Sequence, residues 1–284
     1  MTQKSQKLKP VDRIGITTNE IHENFPEAVQ IGLGWGIRNF ELRKVWGPVR
    51  VPNLSPQQEK ILYDTFESKG LTCTALSPGT FMGPYDENKL DEQFEQLDKC
   101  FNMAERLKTS IIIVFSFQRG DAAAGAVMPS KQVQALREAA RRAADRGITL
   151  ALENMLSQWG DTTRNVRMVL EKVDYPSFRL NWDPGNSAIA DEPVIFPDGY
   201  ERIQEFMVYF HLKNYNLGRE SIPVPNDYDV FSVLREGEID YEAHLKRVVD
   251  DGYDGWFVLE THRKPYEENT RLNLGFLRET FSKL

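Results

Sequence analysis

The sequence predicts an α/β protein of the (β/α)8 TIM barrel class, and three observations carry that expectation. Eight short apolar or alternating runs are separated by longer helix-periodic stretches, the count that a barrel of about 250 residues requires. The first run leads into GITTNEIHENF (15–25), which is not the glycine-rich phosphate turn of an open doubly wound sheet. Metal-ligand residue types stand near the ends of the last four runs, and that end of a barrel is where active sites are built.

In order, the strand candidates are RIGITT (13–18), RNFELRKV (38–45), LTCTALSP (71–78) and SIIIVFSF (110–117), then ITLALENM (148–155), FRLNWDPG (178–185), MVYFHLKN (207–214) and WFVLETH (256–262). The clearest helical stretches between them are 55–70, 88–107 and 129–147, and a last helix over 263–281 closes the chain. Pro129–Ser130 opens the third, and Gly147 suits its C-terminal cap. No linker rich in Pro, Gly or Ser divides the sequence, so a single barrel domain over 1–284 is expected, with 1–11 as a flexible N-terminal arm.

Composition limits the function classes. At 284 residues, with 40% hydrophobic and 27% charged side chains, the chain can build a large core and is neither disordered nor fibrous. A net charge of −7 gives no general attraction to nucleic acid or anionic membrane. Two cysteines, Cys73 and Cys100, make no disulfide framework and fit a reducing compartment. With no apolar run of signal or membrane-spanning length, a cytoplasmic location is expected. The expected partner is a small sugar or polyol-derived ketone, with a homo-oligomer compatible.

Side-chain parity sharpens the later strands, because successive residues of a strand face opposite sides. Leu150 and Leu152 alternate with Ala151 and Glu153; Leu180 and Trp182 alternate with Asn181 and Asp183; Phe210 and Leu212 alternate with His211 and Lys213. One set faces the helices and the other faces the lumen. The inward sets end on Glu153, Asp183, His211 and, on the eighth strand, Glu260, at separations of 30, 28 and 49 residues. Neighbouring strands lie about 5 Å apart, so four such groups at one level converge. Taken alone, a strand-end carboxylate is more often a helix cap or an ion-pair partner; four in register point to a metal. Three carboxylates and an imidazole suit one divalent ion, Mn²⁺ first, with Mg²⁺, Co²⁺ or Zn²⁺ as alternatives.

The motifs ALEN (151–154), NWDPGN (181–186), HLKN (211–214), GEIDYEAHLKRVVDDGYDGW (237–256) and VLETH (258–262) resemble those of the xylose-isomerase-like barrels. That family includes ketose 3-epimerases, hydroxypyruvate isomerases, inosose dehydratases and the endonuclease IV group. The resemblance implies that Glu153, Asp183, His211 and Glu260 are metal ligands, and that in an epimerase-like reaction Glu153 and Glu260 also move protons. Two positions depart from the pattern: Asn186 and Asn214 stand where many relatives carry a histidine and an aspartate.

The implied activity is a divalent-metal-dependent sugar isomerase or epimerase working through a metal-stabilised enediolate. A dehydratase of the inosose or dehydroshikimate type is the alternative. An endonuclease IV-like repair enzyme would need a histidine-rich zinc cluster, and this chain has four histidines in all. A non-catalytic barrel would leave the four ligand types without a purpose.

Candidate substrate contacts are Asn186, Lys213, Arg219, His262, Glu41 and Trp46. The ordinary readings are an ion pair for Lys213, a rim histidine for His262, a wall ion pair between Glu41 and Arg43, and a solvated loop residue for Arg219. Asn154 is a candidate to orient Glu153 or a loop. Trp46, Phe81, Phe117 and Trp159 are strand-end aromatics for which core packing is the default, with stacking on a sugar ring as the functional alternative. The polar stretch 214–237 reads as a covering loop, while His22 and His244 fit no ligand pattern, His244 reading as a helix-surface residue.

Overall fold

In the computed structural model, which describes residues 8–122, 126–216 and 230–284, eight parallel strands close on one another. They are β1 (Ile14–Thr17), β2 (Asn39–Leu42), β5 (Thr72–Leu76), β6 (Ile111–Val114), β7 (Thr149–Glu153), β8 (Phe178–Trp182), β9 (Met207–Leu212) and β12 (Trp256–Leu259). The order β1-β12-β9-β8-β7-β6-β5-β2 runs round the wall and returns to β1. All eight lie inside the predicted runs. Two antiparallel hairpins stand at the C-terminal mouth: β3 (Lys44–Trp46) with β4 (Val49–Arg50), and β10 (Asn214–Tyr215) with β11 (Phe231–Ser232). Of the expected arm, residues 1–7 lie outside the described residues, and Pro10–Arg13 form a 3-10 turn that buries Arg13.

The helices are α1 (Phe25–Gly34), α2 (Pro56–Lys69), α3 (Leu90–Leu107), α4 (Ser130–Ala144), α5 (Thr163–Val173), α6 (Pro184–Ile189), α7 (Tyr200–Ile203), α8 (Tyr241–Asp250) and α9 (Tyr266–Ser282). Their ends follow from local chemistry. Ser55 and Gln58 form a reciprocal capping box at the start of α2, Pro56 follows, and Gly70 closes the helix in the left-handed region. The α4 helix ends at Ala144, and Gly147 takes its positive φ just beyond the Asp145 cap.

Parity divides the interior into two layers. Leu150, Leu152, Leu180, Trp182, Phe210, Leu212, Phe257 and Leu259 belong to the large core between strands and helices. Ala75, Ile113, Ala151, Tyr209 and Val258 form a separate small cluster within the barrel. The lumen is therefore filled with packed apolar groups under its polar layer, and no water-filled pore runs through it.

His244 corrects the expectation of a helix-surface residue. It is fully buried on α8, on the same stripe as Tyr241, Leu245 and Val248. Trp182, Phe196, Tyr200, Phe210 and Tyr241 surround it, and neither ring nitrogen has a hydrogen-bond partner. Burial lowers its pKa to about 3, so the ring stays neutral in the fold.

Between pH 6.5 and 3 the unfolded chain binds a proton at this position that the folded chain does not, so His244 makes stability fall as pH falls through that window. At pH 5 its contribution is a loss of about 2 kcal/mol relative to neutral pH. Urea unfolding at pH 7, 6 and 5 should show a shallower acid decline in His244→Phe than in the parent. Equal slopes would remove His244 from the acid response.

Candidate metal centre and active site

The four predicted strand-end residues meet at the C-terminal mouth. Glu153, Asp183, His211 and Glu260 each offer a ligand atom, and these atoms lie within 4.8 Å of one another on fully buried side chains. Strand geometry places them: β7 and β8 pair Glu153 with Asn181, and β12 and β9 pair Val258 with His211. Asp183 combines the two readings of a strand-end carboxylate. Its Oδ1 accepts the Asn186 N–H at 3.0 Å and caps α6, while its buried Oδ2 pairs with the Lys213 ammonium at 2.8 Å.

Glu41 fixes the ring of His211. His211 Nε2 lies 2.6 Å from Glu41 Oε2, leaving Nδ1 turned toward Glu260 Oε2 at 3.3 Å and Glu153 Oε1 at 3.6 Å, with the Asn181 amide at 3.1 Å. A buried imidazole held by a carboxylate on one nitrogen and facing carboxylates with the other is the usual surrounding of a histidine ligand. Glu41 pairs with His211, and Arg43 reaches past it to other carboxylates, so the expected Glu41–Arg43 wall pair is replaced.

Arg43 bridges Glu260 and Glu20; its Nη2 lies 2.7 Å from Glu20 Oε1 and its Nε donates to Asn19 at 3.1 Å. Lys213 bridges Glu260 Oε2, at 2.7 Å, and Asp183 Oδ2. His262 sits beyond β12 between Glu20 Oε1 at 3.1 Å and Glu260 Oε1 at 3.3 Å, and its backbone N–H donates to Glu20 Oε2 at 2.7 Å. Glu20 is the residue that the sequence reading missed. It lies in the 3-10 turn after β1, at a strand end like the ligands but off the strand period.

The side-chain amides hold the carboxylates in place. Asn154 accepts the Asp183 N–H at 2.8 Å and donates to the Asp183 carbonyl and to Ser187 Oγ. Asn186 donates to Glu153 Oε1 at 3.1 Å and to the Asn154 carbonyl. Gly185 lets α6 approach this closely, since a Cβ there would lie 2.7 Å from Lys213 Cγ and 2.8 Å from its carbonyl oxygen. Asn214 turns away from the site and ties the loop stem to the Leu234 and Ile239 carbonyls.

Electrostatics tests whether this set fits a cation. Five buried carboxylates, Glu20, Glu41, Glu153, Asp183 and Glu260, face three cations, Arg43, Arg50 and Lys213. With the histidines neutral, the imbalance is two positive charges, which one divalent ion would supply. The protein alone compensates with protons. Burial works against a charge on His211, yet Glu41 and Glu153 raise its pKa to about 10. Burial also pushes Asp183 up, against the pull of Lys213. For Glu153 and Glu20 burial opposes the charge as well, but their neighbours, His211 foremost at Glu153 and His262 foremost at Glu20, hold both at about 2, even though burial lowers the pKa of His262 itself. The donor set fits a divalent ion that takes the place of the His211 proton.

A cavity of about 460 Å³ opens on the cluster. Arg43, Glu153, Asn186, Lys213, Glu260 and His262 line its floor, while Arg50, Ser77, Gln118 and the apolar side chains of Met82, Phe115, Leu156 and Phe231 line its walls. Trp46 is not among the lining residues and packs on Phe25. Phe81, Phe117 and Trp159 are buried in the core. The ends of the expected covering loop form the β10–β11 stem, and Val230 and Phe231 reach the cavity. Arg219 lies outside the described residues.

Residues 33–280 match the family described as xylose isomerase-like TIM barrel. The chain belongs to that family. Inosose dehydratase of Salmonella agona is 27% identical over 131 residues, 43% of this chain and 43% of its own length; less than half of either chain is therefore aligned. The probable 3-DHS dehydratase AsbF of Bacillus anthracis superposes with a TM-score of 0.76 at 18% identity, covering 94% of this chain and 98% of that one. The IOLI protein, solved with a bound zinc atom, gives a TM-score of 0.71 at 16% identity, with 95% of each chain covered. Family membership accords with the closed barrel and with the motifs in its second half; the solved structures add likeness of fold.

Arg43 is the cation shared by two buried carboxylates, so Arg43→Ala should destabilise the metal-free protein by about 3–5 kcal/mol. Chemical denaturation in chelator measures this, and adding Glu20→Gln should recover part of the loss. A change within 0.5 kcal/mol would show that Arg43 does not carry the pair.

Proposed function

We propose that this barrel is a divalent-metal-dependent lyase acting on a cyclic hydroxy-ketone, with Glu153, Asp183, His211 and Glu260 as the ligands. The observation that carries the reaction class is the asymmetry between the two glutamates. Glu260 is tied on one oxygen by Arg43 and on the other by Lys213, so that both of its oxygens are engaged. Glu153 is contacted on Oε1 alone, by the Asn186 amide at 3.1 Å and the His211 ring at 3.6 Å, and lines the cavity. With no contact on Oε2 among the described residues, Glu153 is the glutamate of the two with an oxygen open to substrate, and on this reading it takes the proton from the carbon next to the carbonyl. Lys213 stands on the Glu260 side as the proton donor, with the His262 ring beside it. Loss of a proton on one side and of a β-hydroxyl, protonated as it leaves, on the other forms a carbon–carbon double bond and releases water.

A divalent ion in this ligand set supplies Lewis acidity to the carbonyl and charge to match the electron density that builds there. Glu41 keeps the imidazole aligned, and Asn154 and Asn186 hold Asp183 and Glu153. The dehydratase names of two similar proteins support the elimination reading. The two buried cysteines accord with a cytoplasmic location, and among the described residues no helix is long and apolar enough to cross a membrane.

The second reading is the sugar isomerase or epimerase, favoured by the presence of Glu153 and Glu260 on opposite sides of His211. It requires Glu260 to exchange a proton despite its two cations. Incubation of the Mn²⁺-loaded protein in D₂O with an inosose and with 3-dehydroshikimate separates the two. Water loss, tracked by mass, supports the lyase; deuterium gained without water loss supports the isomerase. Glu153→Gln should lower turnover about 100-fold or more, and chelation should abolish it reversibly. Full turnover after metal stripping would overturn both readings.

Glu41→Gln tests the ligand set apart from catalysis. Loss of its carboxylate should weaken Mn²⁺ or Zn²⁺ binding about 10–100-fold in a chelator competition. An unchanged metal affinity would remove His211 from the ligand set.

A further inference from the structure

One cavity cation is in direct contact with no carboxylate among the described residues. Arg43, Lys213 and His262 each contact at least two carboxylates. Arg50, brought to the cavity wall by the β3–β4 hairpin, has no carboxylate within ion-pair distance among the described residues. Its one hydrogen bond is a long contact of 3.4 Å from Nη1 to the Ser77 carbonyl. A guanidinium carries five N–H donors, so most of this group's hydrogen-bonding capacity is unused. Burial, then the charge of Arg43, lowers its pKa to about 10 against the more distant pull of Glu153 and Glu41, which leaves it charged at neutral pH.

The position is built to hold that guanidinium. Gly79 lies directly against it, at φ +82, and a Cβ there would come within 2.8 Å of Nη1 and 3.4 Å of Cζ. The glycine thus provides both the backbone conformation and the space that Arg50 occupies. A charged group placed at a cavity wall, with no carboxylate in contact among the described residues and its space kept clear, has the geometry to receive an anion.

We propose that Arg50 binds a carboxylate on the substrate, so that the ligand of this barrel is a hydroxy-ketone acid and not a neutral polyol ketone. The proposal rests on the metal-dependent reading of the neighbouring cluster, which would hold the reacting oxygens while Arg50 holds the acid group in the same cavity. A planar carboxylate matches the two parallel N–H donors of one guanidinium. The carboxylate-rich floor disfavours a second, doubly charged group such as a phosphate ester.

Two probes that differ only in the carboxylate test this: 3,4-dihydroxybenzoate and catechol, titrated by calorimetry into the Mn²⁺-loaded protein. Each presents a vicinal oxygen pair to the ion. The carboxylate probe should bind at least tenfold more tightly than catechol, and Arg50→Gln should bring the ratio of the two affinities to within about threefold of unity. Arg50→Lys, which keeps the charge and loses the fork, should give an intermediate ratio, and circular dichroism checks that each variant is folded. A ratio near unity in the parent, or one unchanged by Arg50→Gln, overturns the inference while leaving the metal-dependent reading intact. Failure of both probes to bind, with chelation also without effect on turnover, overturns the metal-dependent reading itself. Displacement of the benzoate by inorganic phosphate at lower concentration than by acetate, lost in Arg50→Gln, would assign the group to a phosphate ester and overturn the carboxylate.

Discussion

The mouth of the barrel buries more negative charge than its own side chains can neutralise, and the local structure is arranged around that fact. Isolated charges in a protein interior are costly unless paired. Directly beneath the cluster lie Ala151, Tyr209 and Val258, which offer no compensation apart from one phenol already bonded to Thr74. The cations must therefore come from the rim. Arg43 and Lys213 each bridge two carboxylates, and His262 sits between Glu20 and Glu260, the pair that Arg43 bridges. The remaining imbalance falls on His211 and Asp183, whose pKa values rise. The same imbalance that is awkward for an empty pocket makes it a good host for a divalent ion.

Much of this was legible in the sequence because a strand repeats every two residues. The alternation in ITLALEN and MVYFHLKN identified Ala151, Glu153, Tyr209 and His211 as lumen residues, and those positions required no knowledge of the loops. Glu20 and Arg50 were not legible for the converse reason. One lies in a 3-10 turn and the other in a two-residue strand of a hairpin, where no period relates a residue to the lumen. His244 is a different kind of miss. Its spacing from Tyr241, Leu245 and Val248 marked the buried stripe of α8, but its polar type suggested surface; an aromatic cage accepted the neutral ring.

The two departures from the family pattern acquire distinct structural roles. Asn186 tethers Glu153 and the end of β7, while Asn214 fastens the stem of the loop between β9 and α8. An amide satisfies these geometries without adding another titrating group to a crowded electrostatic site. A histidine at 186 would stand beside Glu153 as a second base or acid; the amide leaves proton transfer on that side to Glu153 alone. This strengthens the asymmetry on which the elimination reading rests.

That asymmetry also constrains how a substrate can lie. Glu260, with both oxygens engaged, lies beside Lys213 and His262, whereas Glu153 is contacted on one oxygen alone. A hydroxy-ketone with its reacting carbon toward Glu153 therefore presents its leaving hydroxyl toward the cationic side. A symmetric pocket would allow the ring to bind in either sense, whereas an anchor at Arg50 would fix one of them. Orientation by a group remote from the reacting carbons is an effective use of binding energy, since it selects the productive pose before any bond changes. With such an anchor, the irregular hairpin between β2 and α2 would set the specificity of the barrel as much as the regular strands would set its chemistry.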